Sequence, residues 1–141
     1  MSADRVFVDT NVLVYAYDVE SGAKHERAAS ALRSLWAEGA GAISTQVLQE
    51  FYVTVTRKIP VPLTAVQARE VMGTYAAWPT HRPDPTDILV ASELEGDHQL
   101  SFWDALILVS AQRSQASVLL TEDLTHGQTI RGVTAENPFR P

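Results

Sequence analysis

Apolar residues are spaced along this chain in two alternating ways. Short compact runs come first, and stretches with a three-to-four-residue period follow them. Arg5–Val8 is a compact β-branched and aromatic run, which predicts a short buried strand. It ends in Asp9-Thr10-Asn11, residues suited to a strand-to-helix junction. A short apolar turn continues through Tyr17, and Ser21-Gly22 is a break. Residues 23–38 then read as a helix with Ala28, Leu32, Leu35 and Trp36 on an inward stripe and Gly39 as the stop. Ala40–Ile43 is a second strand. Ser44 and Thr45 can cap the next helix, whose apolar face holds Val47, Leu48, Phe51, Tyr52 and Val55. Pro60 and Pro62 end it.

Thr64 and Gln67 form a capping-box pattern, predicting a helix to about Ala77 with Val66, Val71, Met72 and Tyr75 inward. The segment from Trp78 to Thr86 contains three prolines and has room for a very short strand at most. A helix follows from Thr86 to Leu94, stopping near Gly96. Ser101 opens the next helix, Ser117–Leu120 is a strand, and Thr121-Glu122-Asp123 is a polar turn leading into a loop through Gly127. Gly132–Ala135 is a last edge strand before Pro138. Strands alternating with helices predict an α/β domain: a central, mostly parallel sheet of four to five strands covered on both faces. No linker composition interrupts residues 1–141, so a single domain is expected.

Against this pattern four acids stand out. Asp9, Glu50, Asp104 and Asp123 each lie beside or inside an apolar segment, whereas most of the 17 acidic residues fall in polar loops or on solvated faces. A carboxylate next to core-forming residues loses hydration. Each acid also has a purely structural reading: a cap for Asp9, a solvated helix flank for Glu50, a capping box with Ser101 for Asp104, a turn for Asp123. Four such acids at successive junctions are less expected by chance than any one. In open parallel sheets ligands bind beyond the carboxyl ends of the strands. Asp9 and Asp123 follow two strands, while Glu50 and Asp104 lie near helix beginnings, so one cleft could collect them. Converging like charges would repel by roughly 4 kcal/mol per pair at ~4 Å in an effective dielectric near 20. A divalent cation relieves that cost.

Composition narrows the chemistry. With no cysteine, disulfides and thiolate metal sites are excluded. Oxygen ligands suit Mg²⁺ or Mn²⁺ better than zinc. His25, His81, His98 and His126 have no metal-ligand spacing and read as surface or turn residues. The net charge of −6 argues against broad nonspecific nucleic-acid binding. Any polyanionic substrate would rely on metal and a few bases. Arg57, Lys58 and Arg82 are candidates, although each read singly is first a solvated surface charge. No phosphate-binding glycine loop and no Gly-x-Ser-x-Gly elbow is present. No apolar run, Ala105 to Val109 included, approaches the ~20 residues of a membrane span. No signal-peptide pattern precedes Arg5, and a cytoplasmic location is expected.

Val-Asp9-Thr10-Asn11-Val-Leu-Val-Tyr, Gln-Glu50-Phe-Tyr, Ser101-Phe-Trp-Asp104-Ala-Leu-Ile and Leu-Leu-Thr121-Glu122-Asp123-Leu-Thr-His-Gly, in that order, resemble the PIN domain. The wording is most similar to the VapC ribonuclease toxins of bacterial toxin–antitoxin pairs. The resemblance covers about residues 5–137. It implies a three-layer α/β/α fold and Mg²⁺- or Mn²⁺-dependent cleavage of RNA. Asp9, Glu50, Asp104 and Asp123 match the family's acidic positions, as catalytic residues and metal ligands, with Asp9 and Asp104 foremost. Thr10, Asn11 and Thr121 would orient the acids or bind the water network; Glu122 neighbours a matched position without occupying it. The resemblance also implies a small antitoxin partner and a homodimer, to which Tyr17 or Trp36 could contribute, although Trp36 reads first as core.

Two other functions fit parts of the pattern. A Mg²⁺-dependent aspartyl phosphatase or phosphotransferase also begins with a strand ending in Asp, but Asn11 replaces the usual second acid. A non-catalytic RNA- or protein-binding module would use the acids as caps alone.

Overall fold

The computed structural model describes residues 4–141; Met1–Ala3, part of the stretch read for a signal peptide, lie outside the described residues. In chain order the elements are β1 (Arg5–Val8), α1 (Thr10–Tyr15), α2 (Ala23–Glu38), β2 (Gly41–Ser44), α3 (Thr45–Arg57), α4 (Ala65–Tyr75) and β3 (Thr80–His81). Then come α5 (Pro85–His98), α6 (Phe102–Arg113), β4 (Ala116–Leu120), β5 (Thr129–Ile130) and β6 (Val133–Glu136). The strands form one six-stranded sheet in the order β3-β2-β1-β4-β6-β5, parallel except for β5. The sheet is thus wider than the four to five strands expected. The extra strand is the two-residue β5, too short to leave an apolar pattern. It pairs with β6 through Arg131-Gly132, both at positive φ, the geometry of a tight hairpin turn.

Strand order creates a switch point. From β1 the chain moves outward to β2 and β3, then returns to lay β4 on the other side of β1. Val8 pairs with Leu120 at the carboxyl ends of these neighbours. The connections on either side of that line diverge, leaving a crevice of the kind where open α/β sheets bind ligands.

The core fills both faces of the sheet. Phe7, Val8, Ile43 and Leu119 are fully buried from the strands, as are Leu13, Val47, Phe51 and Val55 from the helices. In α3 the core stripe is Val47, Phe51 and Val55, at i, i+4 and i+8. Gly41 allows a close approach: a Cβ there would lie 2.5 Å from the Trp78 ring. Helix starts follow the side-chain caps: Ser44 accepts from the Val47 amide, and Thr64 and Gln67 complete their box.

Three details correct the sequence reading. Val66 is exposed, because it lies about 200° around α4 from the buried Ala68 at 100° per residue. Trp36 is not core: it sits at the edge of the α2 stripe, packed at a tilt against Trp78 and Tyr75 with its outer side in solvent. The helix expected to end near Gly96 starts at Pro85, under an Asp84–Asp87 capping box, and runs on to His98. An exposed helical glycine costs only ~1 kcal/mol and does not by itself end a helix.

Candidate functional site

The site grows from the two central strand ends. Asp9 follows β1 directly and caps α1, its Oδ1 accepting from the Thr10 amide at 2.7 Å. Thr121 follows β4 and donates its hydroxyl to Asp9 Oδ2 at 2.7 Å. The same hydroxyl oxygen accepts from the Asp123 amide at 3.0 Å, turning that residue back toward Asp9. Asn11 bridges the pair: its Nδ2 donates to Asp123 Oδ2 at 2.9 Å and more weakly to Asp9 Oδ2 at 3.3 Å. Asp104 comes from the first turn of α6, where its amide donates to Ser101 Oγ. The reciprocal half of a capping box, a carboxylate taking the Ser101 amide, is not made, so Asp104 is not consumed as a cap. One carboxylate oxygen from each of Asp9, Asp104 and Asp123 lies within 4.8 Å of the other two.

Glu50, the fourth sequence candidate, lines the same cleft but is not one of that triad. Its Oε1 accepts from Thr10 Oγ1 at 2.6 Å and its Oε2 from Gln46 Nε2 at 3.3 Å. Glu122 turns away from the acids, accepting from Tyr15 and forming an ion pair with Lys24 at 2.8 Å.

The electrostatics are those of crowded acids. Burial pushes Asp9 up to about 7, with Thr121 and Thr10 partly offsetting and the charges of Asp123 and Asp104 adding to the rise. Burial also raises Asp104, opposed by the Ser101 hydroxyl and reinforced by Glu50. Asp123 is raised by partial desolvation and by Asp104. The cleft measures about 760 Å³, and its walls carry five acids, Asp9, Asp18, Glu50, Asp104 and Asp123, against one base, Lys58. Neither Arg57 nor Arg82 lines it. Oxygen-only donors converging with this much unrelieved charge fit a hard divalent cation.

A raised acid pKa destabilises the ionised fold. The folded protein holds a proton on Asp9 that the unfolded chain has already lost, so metal-free stability falls as pH rises from about 4 through about 7. Melting of metal-free protein across pH 5–8 should show this decline, by a few kcal/mol in all. Mg²⁺ or Mn²⁺ should remove it, because a ligand bound only to the native state stabilises by mass action. Asp9→Asn should flatten the metal-free profile; a profile as steep as wild type's would mean that the decline has another source.

Three polar residues that sequence reasoning passed over belong to the picture. Gln46 is buried in the cleft wall, four residues before Glu50; that spacing on one helix face was the available signal. Asp18, also buried there, accepts from the Glu20 amide in a polar turn. Asp87, away from the cleft, holds His81 and Arg113, so His81 is a partly buried partner rather than a surface residue.

The model of the PIN domain matches residues 6–129. This chain belongs to the PIN domain family. The fold is shared with a toxin–antitoxin complex from Klebsiella pneumoniae at 20% identity and a TM-score of 0.66, covering 94% of this chain and 97% of that one. VapC20 of Mycobacterium tuberculosis, a toxin that cleaves the sarcin–ricin loop, is similar at 21% identity and a TM-score of 0.62, over 81% of this chain and 86% of that one. VapBC2 from Rickettsia felis, bound to a DNA fragment from its promoter, is similar at 20% identity and a TM-score of 0.64, over 94% and 97%. No curated protein matches the chain in sequence. Among the described residues, no helix is long and apolar enough to cross a membrane.

Proposed function

We propose that this PIN domain is a Mg²⁺- or Mn²⁺-dependent ribonuclease acting in the cytoplasm as the toxin of a toxin–antitoxin pair. The observation that carries the reading is the triad: a buried, a half-buried and an exposed carboxylate brought together at the sheet's switch point. Asp9, Asp104 and Asp123 would hold the metal. Bound there, a divalent ion would neutralise phosphodiester oxygens and lower the pKa of an attacking water. Thr121 and Asn11 fix the directions of the Asp9 and Asp123 carboxylates, limiting the reorganisation needed on binding. Glu50, pinned by Thr10 and Gln46 outside the triad, is placed to accept a proton on its carboxylate. No side-chain nucleophile is required. Asp9 is poorly suited to be one, since it is only 5% exposed and burial pushes its carboxyl up to about 7. That weighs against the aspartyl phosphotransferase reading.

The test is RNA cleavage by purified protein: it should require added Mg²⁺ or Mn²⁺ and stop in EDTA. A partner follows from the same electrostatics. A cleft with five acids attracts a guanidinium or ammonium group, and Arg binds carboxylates bidentately. In this reading the small antitoxin inserts an Arg or Lys among the acids and competes with the metal. Changing that residue to Ala should weaken both the complex and the inhibition, most visibly in Mg²⁺; unaltered inhibition would exclude such a plug. The similar structures support this partner class, since they include toxin–antitoxin complexes. A homodimer belongs to the same proposal, and light scattering showing only the 15.5 kDa chain at micromolar concentration would remove it.

A further inference from the structure

Glu122 is fixed more fully than a turn residue requires. Its backbone amide donates to Asn11 Oδ1 at 3.4 Å. Its carboxylate accepts from the Tyr15 hydroxyl at 2.7 Å and from Lys24 Nζ at 2.8 Å. Asn11 and Tyr15 lie one turn apart on α1, so Glu122 is laid along that helix and held at both ends. Lys24 comes from the first turn of α2, and its ammonium sits 4.9 Å from the centre of the Tyr15 ring and 5.6 Å from that of Phe139. Phe139 meets Tyr15 edge-on at 5.1 Å, and its segment is tied to α2 by Arg27, whose guanidinium donates to the Arg140 carbonyl. Four segments distant in sequence thus converge on one carboxylate. An isolated surface ion pair does little. Two donors and two rings around a partly buried carboxylate hold it in one place.

What they hold is the residue before Asp123. The loop from Thr121 to Gln128 is irregular and is bonded to β6 at both ends: the Thr121 amide to the Glu136 carbonyl, the Gly127 amide to the Ala135 carbonyl. Between those ends Leu124 packs on the core and Glu122 docks on α1. Asp123 itself is exposed. A metal ligand on a free loop has to be ordered when the ion binds, at an entropic cost; one already fixed does not. We infer that Lys24 and Tyr15 are positioning residues for the metal site, clamping Glu122 so that the loop presents Asp123 to Asp9 and Asp104. This rests on reading the triad as a metal site and extends that site to two residues outside the triad.

The test is Mn²⁺ binding by calorimetry, without RNA, on wild type and on Lys24→Met combined with Tyr15→Phe. The pair of changes removes both donors to the Glu122 carboxylate and keeps a ring against Phe139. The Kd for Mn²⁺ should rise about ten-fold, with each single change giving less. Amide exchange in metal-free protein, resolved by NMR, should quicken at least about three-fold at Glu122 and Asp123. It should stay as in wild type at Thr121 and Gly127, whose amides bond to β6. The Mn²⁺ concentration giving half-maximal cleavage should rise in step with the Kd. Glu122→Ala should match the double variant, and Glu122→Gln, which keeps an oxygen for both donors, should restore most of the affinity. A double variant that binds Mn²⁺ as wild type does, even with a lower melting temperature, overturns the proposal and leaves the cluster a brace for the fold. Equal losses in Glu122→Gln and Glu122→Ala also overturn it, because the effect would then come from charge and not from position. Wild type that binds no Mn²⁺ overturns the metal reading itself, and this role for the clamp with it.

Discussion

Asp9→Asn and Asp104→Asn should each remove divalent-dependent RNA cleavage from a protein that still folds. Both changes preserve shape and delete one negative charge from the triad. Preorganised charge at a reacting phosphate is the main source of rate acceleration in such a site, so the loss should be at least about a thousand-fold in kcat. Folding should survive for different reasons at the two positions. The asparagine introduced in place of Asp9 keeps an oxygen to accept from the Thr10 amide and loses repulsion from Asp104 and Asp123. Asp104 is half-buried and makes no reciprocal cap, so its carboxylate can be changed without opening α6. Glu50→Gln and Asp123→Asn should also impair cleavage. Glu50 should do so less through metal affinity, because it lies outside the triad. Glu122→Gln is the control: it deletes a neighbouring charge that faces Lys24 and Tyr15 rather than the triad, and cleavage should persist. Circular dichroism on each variant separates lost chemistry from lost fold. Full nuclease activity in purified Asp9→Asn or Asp104→Asn would take that residue out of the mechanism.

The four acids are legible in the sequence because each interrupts a strong apolar signal at an element junction. Their shared location follows from topology: two strand ends, and two helix beginnings reached through connections to that edge. What the sequence does not supply is the division of labour. That Glu50 is held by Thr10 as well as by Gln46, outside the triad, depends on a contact between residues 40 apart, which no local pattern encodes. The strands that pack on both faces are visible as compact apolar runs. β5 is not, since two residues carry no periodicity and its pairing is fixed by the Arg131-Gly132 turn. Trp36 misleads because helical spacing reports which face a residue is on but not how near the edge of that face it lies.

Asp87→Ala should destabilise the fold by about 2–4 kcal/mol, the largest stability effect expected of a polar side chain outside the cleft. Asp87 is 2% exposed and sits where α5, α6 and β3 meet. Its Oδ1 accepts from Arg113 Nε at 2.8 Å, and its Oδ2 from His81 Nε2 at 2.9 Å and the Asp84 amide at 3.0 Å. Its own amide donates to Asp84 Oδ1, so the side chain also completes the cap of α5. Burial alone would raise its pKa; the Asp84 amide, Arg113 and His81 outweigh it and hold the carboxyl below its ordinary value of 3.8. The magnitude stays below the full cost of a broken interior ion pair because Arg113 is half exposed and can rehydrate. Thermal unfolding should show a drop of roughly 5–15 °C for a chain of this size. Asp87→Asn should fall between, since it keeps an acceptor but loses the charge. The pH dependence has a definite sign. A depressed carboxylate contributes stability above its unfolded pKa and loses it as pH falls through the folded one, so this contribution fades below about 3.8. Asp9 acts in the opposite direction, destabilising metal-free protein as pH rises toward about 7. Between the two, metal-free protein should be most stable near pH 4, with Asp87→Ala flattening the acid limb and Asp9→Asn the limb above it. If Asp87→Ala melts like wild type at pH 7, the three-element junction is held by apolar packing of α5 on α6, and the buried carboxylate adds nothing net.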